Sequence, residues 1–516
     1  MNPKTSRRRL DVNLDELDRI IAAAMQAPLS EAEGKTLRTA LHAMADRLMP
    51  RRSTEKTRAV LEAANGEAVQ AGTGTTKPKP AKGHGRHGAA AFTGAARVDI
   101  MHATLHSGDH CPSCNEGRVY RQKEPATLVR IVGRAPLEAT VFAMERLRCN
   151  ACLQMFTAEK PEDVGPEKFD VTATATIALL KYSTGMPFNR LARLEKQLGI
   201  PLPAATQWEL MEAGAKEIRP ALNELIRQAA QGGVVHNDDT GMRILKLARN
   251  PDDKRTGTFT SGIVSICGGQ QIALYFTGPK HAGENLADVL KQREPGLPPP
   301  IQMCDALSRN TPKLTGIEIL FCNCLAHGRR QFTEVAESFP EECRHVLESL
   351  GAVYGFDAQT KARGMTAEER LQFHQTHSGP VMDELHKWME AQFAEHKTEP
   401  NSGLGKAFSY LLRYWKKLTL FLRQAGAPVD NNIVERALKM AIRNRKNALF
   451  YKTMNGAGVG DLFMSLIHTC ELNKINPFDY LTELLRHPAG LAESPSRWMP
   501  WNYRTTLAGT AIPAAA

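Results

Sequence analysis

Four cysteines and three acidic residues are the side chains whose type and spacing could do chemistry. The cysteines form two C-x-x-C pairs, Cys111/Cys114 in CPSC and Cys149/Cys152 in CNAC. Each pair makes a tight turn that aims two thiolates at one point. Hairpins between the pairs would bring them together as a closed, tetrahedral, structural zinc site of the ribbon type. A redox dithiol would need only one pair, near a βαβ pattern. A ribbon this small needs its metal to fold, and the zinc alone implies no activity. The acids are Asp238 in HNDDT, Asp305 in MCDAL and Glu435 in DNNIVER. Three clustered carboxylates repel one another, and divalent cations are the simplest means of holding them together. Two Mg²⁺ about 3.5–4 Å apart would activate a water or a 3′-hydroxyl and stabilise the leaving oxygen of a phosphodiester. A plainer reading stands beside this one: Asp-Asp before Thr-Gly is a common turn, and Asp430 is a good helix N-cap.

Such residues need elements that converge them. GGVVHNDDTGMRIL, GTFTSGIVSICGG and QQIALYFTG read as three antiparallel strands. HAGENLADVLKQRE then reads as an amphipathic helix, and IQMCDAL and GIEILFCNCLAHGRR as further buried runs, an α/β layout. Asp238 would lie on the first strand, Asp305 at the end of the fourth, and Glu435 in the first turns of a later helix. Strand alternation sends Asp238 and Asp239 to opposite faces, so only one of them can serve. On the helix, Glu435, Lys439, Arg443 and Lys446 share one face while Val434, Leu438 and Ala441 share another. A carboxylate heading a basic ridge could grip phosphates, or the ridge could be a solvated set of Glu–Lys pairs. Residues 331–425 read as charge-rich helices inserted into the core. Cys322, Cys324 and His327 in CNCLAHGRR are an incomplete ligand set, more simply read as buried cysteines beside a satisfied histidine.

Upstream, Leu14, Leu17, Ile21 and Met25 recur at helical spacing, in a bundle or self-association module. AGTGTTKPKPAKGHGRHGAAAF is a basic linker in which Lys82 and Arg86 could lie along DNA or only solvate a tether. TATATIALLKYS and PFNRLARLEKQLG read as helices, and IPLP separates the second from AATQWELMEAG. Two short helices across such a turn suggest a helix-turn-helix, with Thr206 and Gln207 opening the DNA-facing helix, though plain packing gives the same look. The expected organisation is multidomain α+β. A helical module spans 1–70, a linker 71–100, a zinc ribbon 101–165 and a helix-turn-helix-like region 166–230. An α/β core spans 231–470, with its helical insertion at about 311–425, and a C-terminal helix and tail 471–516. The 516 residues, 42% hydrophobic and 23% charged, exclude wholesale disorder. No window approaches the ~18 apolar residues of a membrane span, and MNPKTSRRRL is not followed by the apolar stretch of a secretory signal. Ten cysteines, four in the two pairs and six scattered, fit a reducing compartment, and the net charge of +11 favours a polyanionic partner.

HGRHGAAAFTGA, GDHCPSCNEGRVY, CNAC, HNDDTGMRIL, MCDALSRN, CLAHGRRQF, DNNIVERALKMAIRNRKNALF and LIHTCELNKINPFDYLTELL occur in this order along the chain. Together they make it resemble the insertion sequence 66 family of bacterial DDE transposases over nearly its whole length. The resemblance implies a ribonuclease-H-like core with a helical insertion between the second and third acids. It implies binding of double-stranded DNA at the ends of a mobile element, Mg²⁺-dependent cleavage there, and transfer of the 3′ ends to target DNA. On this basis Asp238, Asp305 and Glu435 are the first, second and third acids, and Cys111, Cys114, Cys149 and Cys152 hold zinc. A dimer or larger assembly on DNA, helper proteins from the same element and a cytoplasmic, nucleoid-associated location go with it. An inactive or domesticated DNA-binding relative is the alternative, and a structure-specific nuclease of the same fold a third. Many members read Asp-Glu-Thr and Asp-Gly-Tyr where this chain has Asp238-Asp239-Thr240 and Asp305-Ala306-Leu307; neither difference touches a proposed metal ligand.

Overall fold

A computed structural model describes residues 97–114, 116–122, 126–128, 136–148, 150, 154–162, 164–248 and 255–510, with isolated positions at 57, 60, 61 and 89–91. Most of the expected helical module over 1–70 and most of the basic linker lie outside the described residues. The chain divides into two compact units, one of Val69–Ala326, Gly364–Gln375 and Tyr414–Ala516, the other of Met1–Ala68, His327–Arg363 and Thr376–Arg413.

The first unit is built on a five-stranded sheet. After a small antiparallel hairpin of β1 (Arg146–Arg148) and β2 (Met155–Thr157) come β3 (Val234–Gly241), β4 (Ile244–Lys246), β5 (Phe259–Cys267) and β6 (Gln270–Gly278). β7 (Ile301–Cys304) and β8 (Leu320–Asn323) complete the sheet in the order β6-β5-β3-β7-β8. The first three strands are antiparallel, as the glycine-punctuated alternation predicts; β7 and β8 run parallel to β3. β7 is buried along its whole length, as befits a central parallel strand. β8 belongs to this sheet, so the inserted helices begin after it and not at 311.

Helices cover both faces. Helices α1 (Val171–Ala178), α2 (Phe188–Gln197), α3 (Ala204–Glu217) and α4 (Arg219–Ala229) precede the sheet, and α5 (Ala282–Leu290) follows β6. α1 does not run on as one α-helix through LLKYS: Leu179–Ser183 is a π-helical turn. Ala175, Met211 and Leu225 of these helices sit in the same apolar core as Ile263 and Leu274 of the sheet. The region 166–230 therefore has no separate core.

The second unit is helical, holding most of α6 (Leu325–Val335), α7 (Pro340–Ala362), α8 (Ala367–Ala394) and α9 (Gly403–Leu418). Within it Phe408 gathers Phe332, Trp388 and Phe393 at centroid distances of 5.7, 5.5 and 6.0 Å. Back in the first unit follow α10 (Asn432–Ala448), β9 (Tyr451–Thr453), α11 (Met454–Leu472), α12 (Pro477–Arg486), α13 (Pro488–Glu493) and α14 (Tyr503–Thr510). The C-terminal segment is thus three packed helices, not one helix and a tail; Tyr480 donates its hydroxyl to the Trp498 carbonyl at 2.9 Å.

α10 lies on the sheet because Gly262 lets it. A Cβ built on Gly262, the β5 partner of Asp238, would stand 2.9 Å from Leu438 Cδ2, so a larger residue would force the Leu438 side chain to shift. α11 closes the edge of the sheet. The outward N–H groups of β6 at Gln271, Ala273, Tyr275 and Thr277 donate to the side chains of Asn473, Thr469, Ser465 and Asp461 at 3.2, 3.0, 3.0 and 2.6 Å. Four helical residues rise about 6.0 Å and two strand residues about 6.7 Å, so the two repeats stay in step over four rungs. An edge that would otherwise template another chain is thereby satisfied. Asp461→Ala leaves the Thr277 N–H buried and unmatched, a loss of about 2 kcal/mol. Hydrogen exchange should show the β6 amides opening on the order of tenfold faster while those of β3 hold.

Candidate active site

Asp238 and His236 are on the same side of β3, and the side chain of Asn431, just before α10, marks which side. His236 Nδ1 lies 3.0 Å from Asn431 Oδ1, and Asn431 Nδ2 donates to the Asn237 carbonyl at 3.2 Å. Asp238 therefore faces α10, the helix that carries Glu435. Asp305 follows the last residue of β7 and is buried. The two aspartates meet at Asn310, which closes a one-turn 3₁₀ helix, Ser308–Asn310. Its side-chain amide donates to Asp238 Oδ1 at 3.2 Å and to Asp305 Oδ1 at 2.6 Å. Its carbonyl accepts from Asn237 Nδ2 at 2.8 Å and from Gln302 Nε2 at 2.7 Å, and Gln302 also donates to Asn237 Oδ1 at 2.7 Å. One asparagine is thus fixed by two strands and in turn fixes both carboxylates.

The electrostatics follow from that geometry. Burial, then the neighbouring Asp305 charge, raise the Asp238 carboxyl to about 7, while the Asp239 N–H and the Asn310 amide pull it down. Two carboxylates converging on one atom, one of them reluctant to ionise, are a donor set suited to a hard divalent cation. Asp239 takes the other face, as alternation requires: its side chain is 1% exposed, and its oxygens lie 2.8 Å from His281 Nδ1 and 3.4 Å from Arg309 Nη2.

Glu435 sits in the first turn of α10, half-buried, with a carboxylate oxygen within 4.8 Å of Cys324 Sγ. Among the described residues the oxygens of Asp238, Asp305 and Glu435 do not all fall within 4.8 Å of one another. The structure pairs the two aspartates and leaves Glu435 on the covering helix, near Cys324. Cys324 accepts from the Asn431 N–H at 3.2 Å, and Leu325 N donates to the Val429 carbonyl at 3.1 Å, so the end of β8 also holds the start of α10. His327 follows in the first turn of α6 and belongs to the other unit.

Of the residues expected to meet DNA, Lys439, Arg443 and Lys446 are exposed along α10, opposite buried Val434, Leu438 and Ala441. Arg443 also donates to the Ser183 carbonyl at 2.8 Å. Thr206 is half-buried in the first turn of α3. Gln207 is corrected to a packing role. It is 0% exposed, and its amide donates to the carbonyls of Phe188 and Leu202 at 3.0 Å each, bracing the turn between α2 and α3. Lys82 and Arg86 lie outside the described residues, as do Cys149 and Cys152. Cys111 and Cys114 occupy one tight turn closed by the Cys111 N–H donating to the Gly117 carbonyl at 2.8 Å. The Gly117 and Glu116 N–H groups, with Cys111, hold the Cys114 thiol below its ordinary range. That is the environment of a metal-binding thiolate. β1 and β2 flank the second cysteine pair.

The residue that sequence reasoning missed is Asn310. Its signal was a pair of amides inside neighbouring strands, Asn237 on β3 and Gln302 in the otherwise apolar β7.

The profile of the transposase IS66 family matches residues 168–458, and the chain belongs to that family. Membership makes it a transposase-family protein whose partner is DNA. Over 432 residues it is 26% identical to a Sinorhizobium fredii (strain NBRC 101917 / NGR234) protein described as "Uncharacterized protein y4hP", covering 78% of this chain and 75% of that one. A second protein of that strain, "Uncharacterized protein y4jD", is 30% identical over 211 residues, covering 40% of each chain. Among the described residues no helix is long and apolar enough to cross a membrane.

An acid whose folded value is raised from 3.8 to about 7 weakens the fold as pH rises. The penalty is absent below about 4, grows up to about 7 and is then constant. The metal-free protein should therefore melt several degrees lower at pH 8 than at pH 5. Asp238→Asn should flatten much of that fall and melt above wild type at pH 8 in calorimetry.

Proposed function

We propose that this chain is a DDE transposase whose catalytic acids are Asp238, Asp305 and Glu435, acting on a ribonuclease-H-like core. The observation that carries the reading is the shared amide of Asn310, which sets Asp238, on β3 just past its parallel pairing with β7, against Asp305, which follows β7. Strand order supports it: three antiparallel strands with two parallel ones added beside the first, and acids on the first and fourth. The helical subdomain falls between the second and third acids, as in the family pattern.

Asp238, Asp305 and Glu435 would hold Mg²⁺, which supplies activation of the attacking hydroxyl and stabilisation of the leaving oxygen when bound. Asn310 keeps the two aspartates in register, and Asn431 keeps α10 on the face where Asp238 points. The exposed Lys439 and Lys446, with Arg443, grip phosphates alongside. The first 3′ end is cut free in this site and then attacks target DNA from the same place. Holding two ends together calls for a dimer or larger assembly. Cys111, Cys114, Cys149 and Cys152 would hold a structural zinc that braces the region before the core, and Thr206, Lys82 and Arg86 add DNA contacts upstream. Helper proteins from the same element would act with it.

A second reading, an inactive DNA-binding relative, is favoured by one observation: Glu435 is near Cys324 rather than grouped with both aspartates. The two readings separate in one assay. A duplex carrying the element end is incubated with Mg²⁺ and wild type, Asp238→Asn, Asp305→Asn or Glu435→Gln, and cleavage and strand transfer are scored beside binding. The active reading expects each variant to bind as wild type does. It expects each to cut slower by on the order of 10²–10³ fold or more, the range for removing one charge-stabilising group. Wild-type binding without cutting supports the inactive relative. Zinc content is a separate check: about one equivalent per chain in wild type, lost in Cys111→Ser/Cys114→Ser.

A further inference from the structure

Beyond the acids, β3 runs out at Gly241 into a small surface element. β4 and β9 pair in parallel, with Ile244 opposite Tyr451 and Lys246 opposite Thr453. Ile244 and Tyr451 are buried, so alternation turns Arg243 and Leu245 outward on one strand, and Phe450 and Lys452 outward alongside the other. Apolar side chains on that outer face are open to solvent: Leu245 is 46% exposed, Phe450 40% and Leu449, at the turn, 65%.

The turn that presents them is strained. Leu449 has φ 69° and ψ −41°, and the Phe450 N–H donates to the Ala448 carbonyl at 2.9 Å. This is a γ-turn of the rare positive-φ kind, unfavourable for a residue with a Cβ. It is held from both sides. Leu449 N donates back to Arg445 O, and Tyr451 N to Arg243 O, each at 2.9 Å, while Asn444 donates to the Tyr451 hydroxyl at 2.7 Å. Arg445 Nη1 donates to Thr240 Oγ1 at 2.8 Å and also to the Gly241 carbonyl, tying the turn to the end of β3. A strained backbone so firmly clamped, with its large apolar side chains outside, points to a surface kept for a ligand.

Charge decides which ligand. The charged residues of 241–248 and 449–454 are Arg243, Lys246 and Lys452, all exposed, with no aspartate or glutamate among them. Two copies of such a face would repel each other, which argues against self-association, and a polyanion complements it. Aromatic and apolar groups interleaved with cations are the surface on which unstacked bases rest while their phosphates are neutralised. Arg243 is five residues beyond Asp238, at most about 17 Å of extended chain, or about five base steps.

Resting on the reading of the chain as a DNA-cutting transposase, we propose that the outer face of β4–β9 is a nucleobase-binding site. Phe450 and Leu449 receive a base unstacked from the DNA near the cleavage point, and Arg243 and Lys452 neutralise the flanking phosphates.

The test uses the full chain and two probes, a 20-nucleotide oligothymidine and a fully paired 20-base-pair duplex, with affinity read by fluorescence anisotropy at fixed salt. Phe450→Ala should weaken oligothymidine binding at least about fivefold, the lower bound for stacking one base on an aromatic ring, and change duplex binding less than twofold. Phe450→Trp should keep the affinity and show its added fluorescence quenched by oligothymidine. Lys452→Gln should weaken both probes and reduce the salt slope for oligothymidine by about 0.7. Equal affinity of Phe450→Ala and wild type for oligothymidine overturns the proposal, as does an equal loss on both probes. A Phe450→Ala variant that turns a wild-type dimer into monomer without altering either affinity assigns the face to self-association and also overturns it. Wild type that binds neither probe overturns the DNA reading itself, an outcome distinct from the others. Melting temperature and circular dichroism of each variant separate misfolding from a lost contact, and the retained affinity of Phe450→Trp is required in either case.

Discussion

The carboxylates of Asp238 and Asp305 share a single amide, and much of the first unit can be understood as what it takes to keep that amide in place. Burial disfavours the ionised form of Asp238, and the Asp305 carboxylate this close adds to the cost. Asn310 is placed by its backbone carbonyl, which is claimed by Asn237 on β3 and Gln302 on β7, so the two strands that position the acids also position the residue between them. The turn is anchored again on its far side, where Arg309 and His281, the residue capping α5, meet the buried Asp239. The Asp-Asp pair in HNDDT thus divides its labour by strand alternation: one acid goes to the site and the next to the scaffold under it.

A site placed this tightly needs a sheet that does not breathe. The edge at β6 is closed by side chains of α11 and Asn473 in a four-rung ladder, and α10 is drawn onto β3 and β5 across Gly262. The two devices differ in kind. The ladder satisfies backbone donors that would otherwise be buried unpaired, whereas Gly262 does its work by removing a side chain so that Leu438 and Val434 can approach. Both concern helices that come almost 200 residues after the strands they serve, so the core is completed only when the end of the chain returns past the helical subdomain.

That distance explains what was legible in the sequence. Local period was enough for the antiparallel strands, for the face of α10 that bears Lys439, Arg443 and Lys446, and for the opposed directions of Asp238 and Asp239. Motif order was enough for the family. What the sequence hid are features decided by a remote backbone group. Gln207 reads as a surface residue at the start of a helix, and only the carbonyls of Phe188 and Leu202 make it a buried brace. Asn310 looks like an ordinary turn asparagine until two strands aim amides at its carbonyl. β8 is short enough to be lost in the run that precedes the helices, and LLKYS has the composition of the α-helix it departs from.

Glu435 shows where these two kinds of information meet. Its position on α10 follows from helical period, and the side of the sheet on which α10 lies follows from Asn431 gripping β3 beside Asp238. The same segment is gripped from the other side by the end of β8, through Cys322 to the Pro428 carbonyl and through Cys324 to Asn431. The start of α10 is therefore positioned by β3 and β8, the two strands that flank β7, and its far end is fastened to β3 again through Arg445 and Thr240. A helix pinned at both ends to the strand that bears Asp238 links its own first turn to its last. Glu435 near one end of α10 and the turn at Leu449 beyond the other are thus both placed against the same strand, β3.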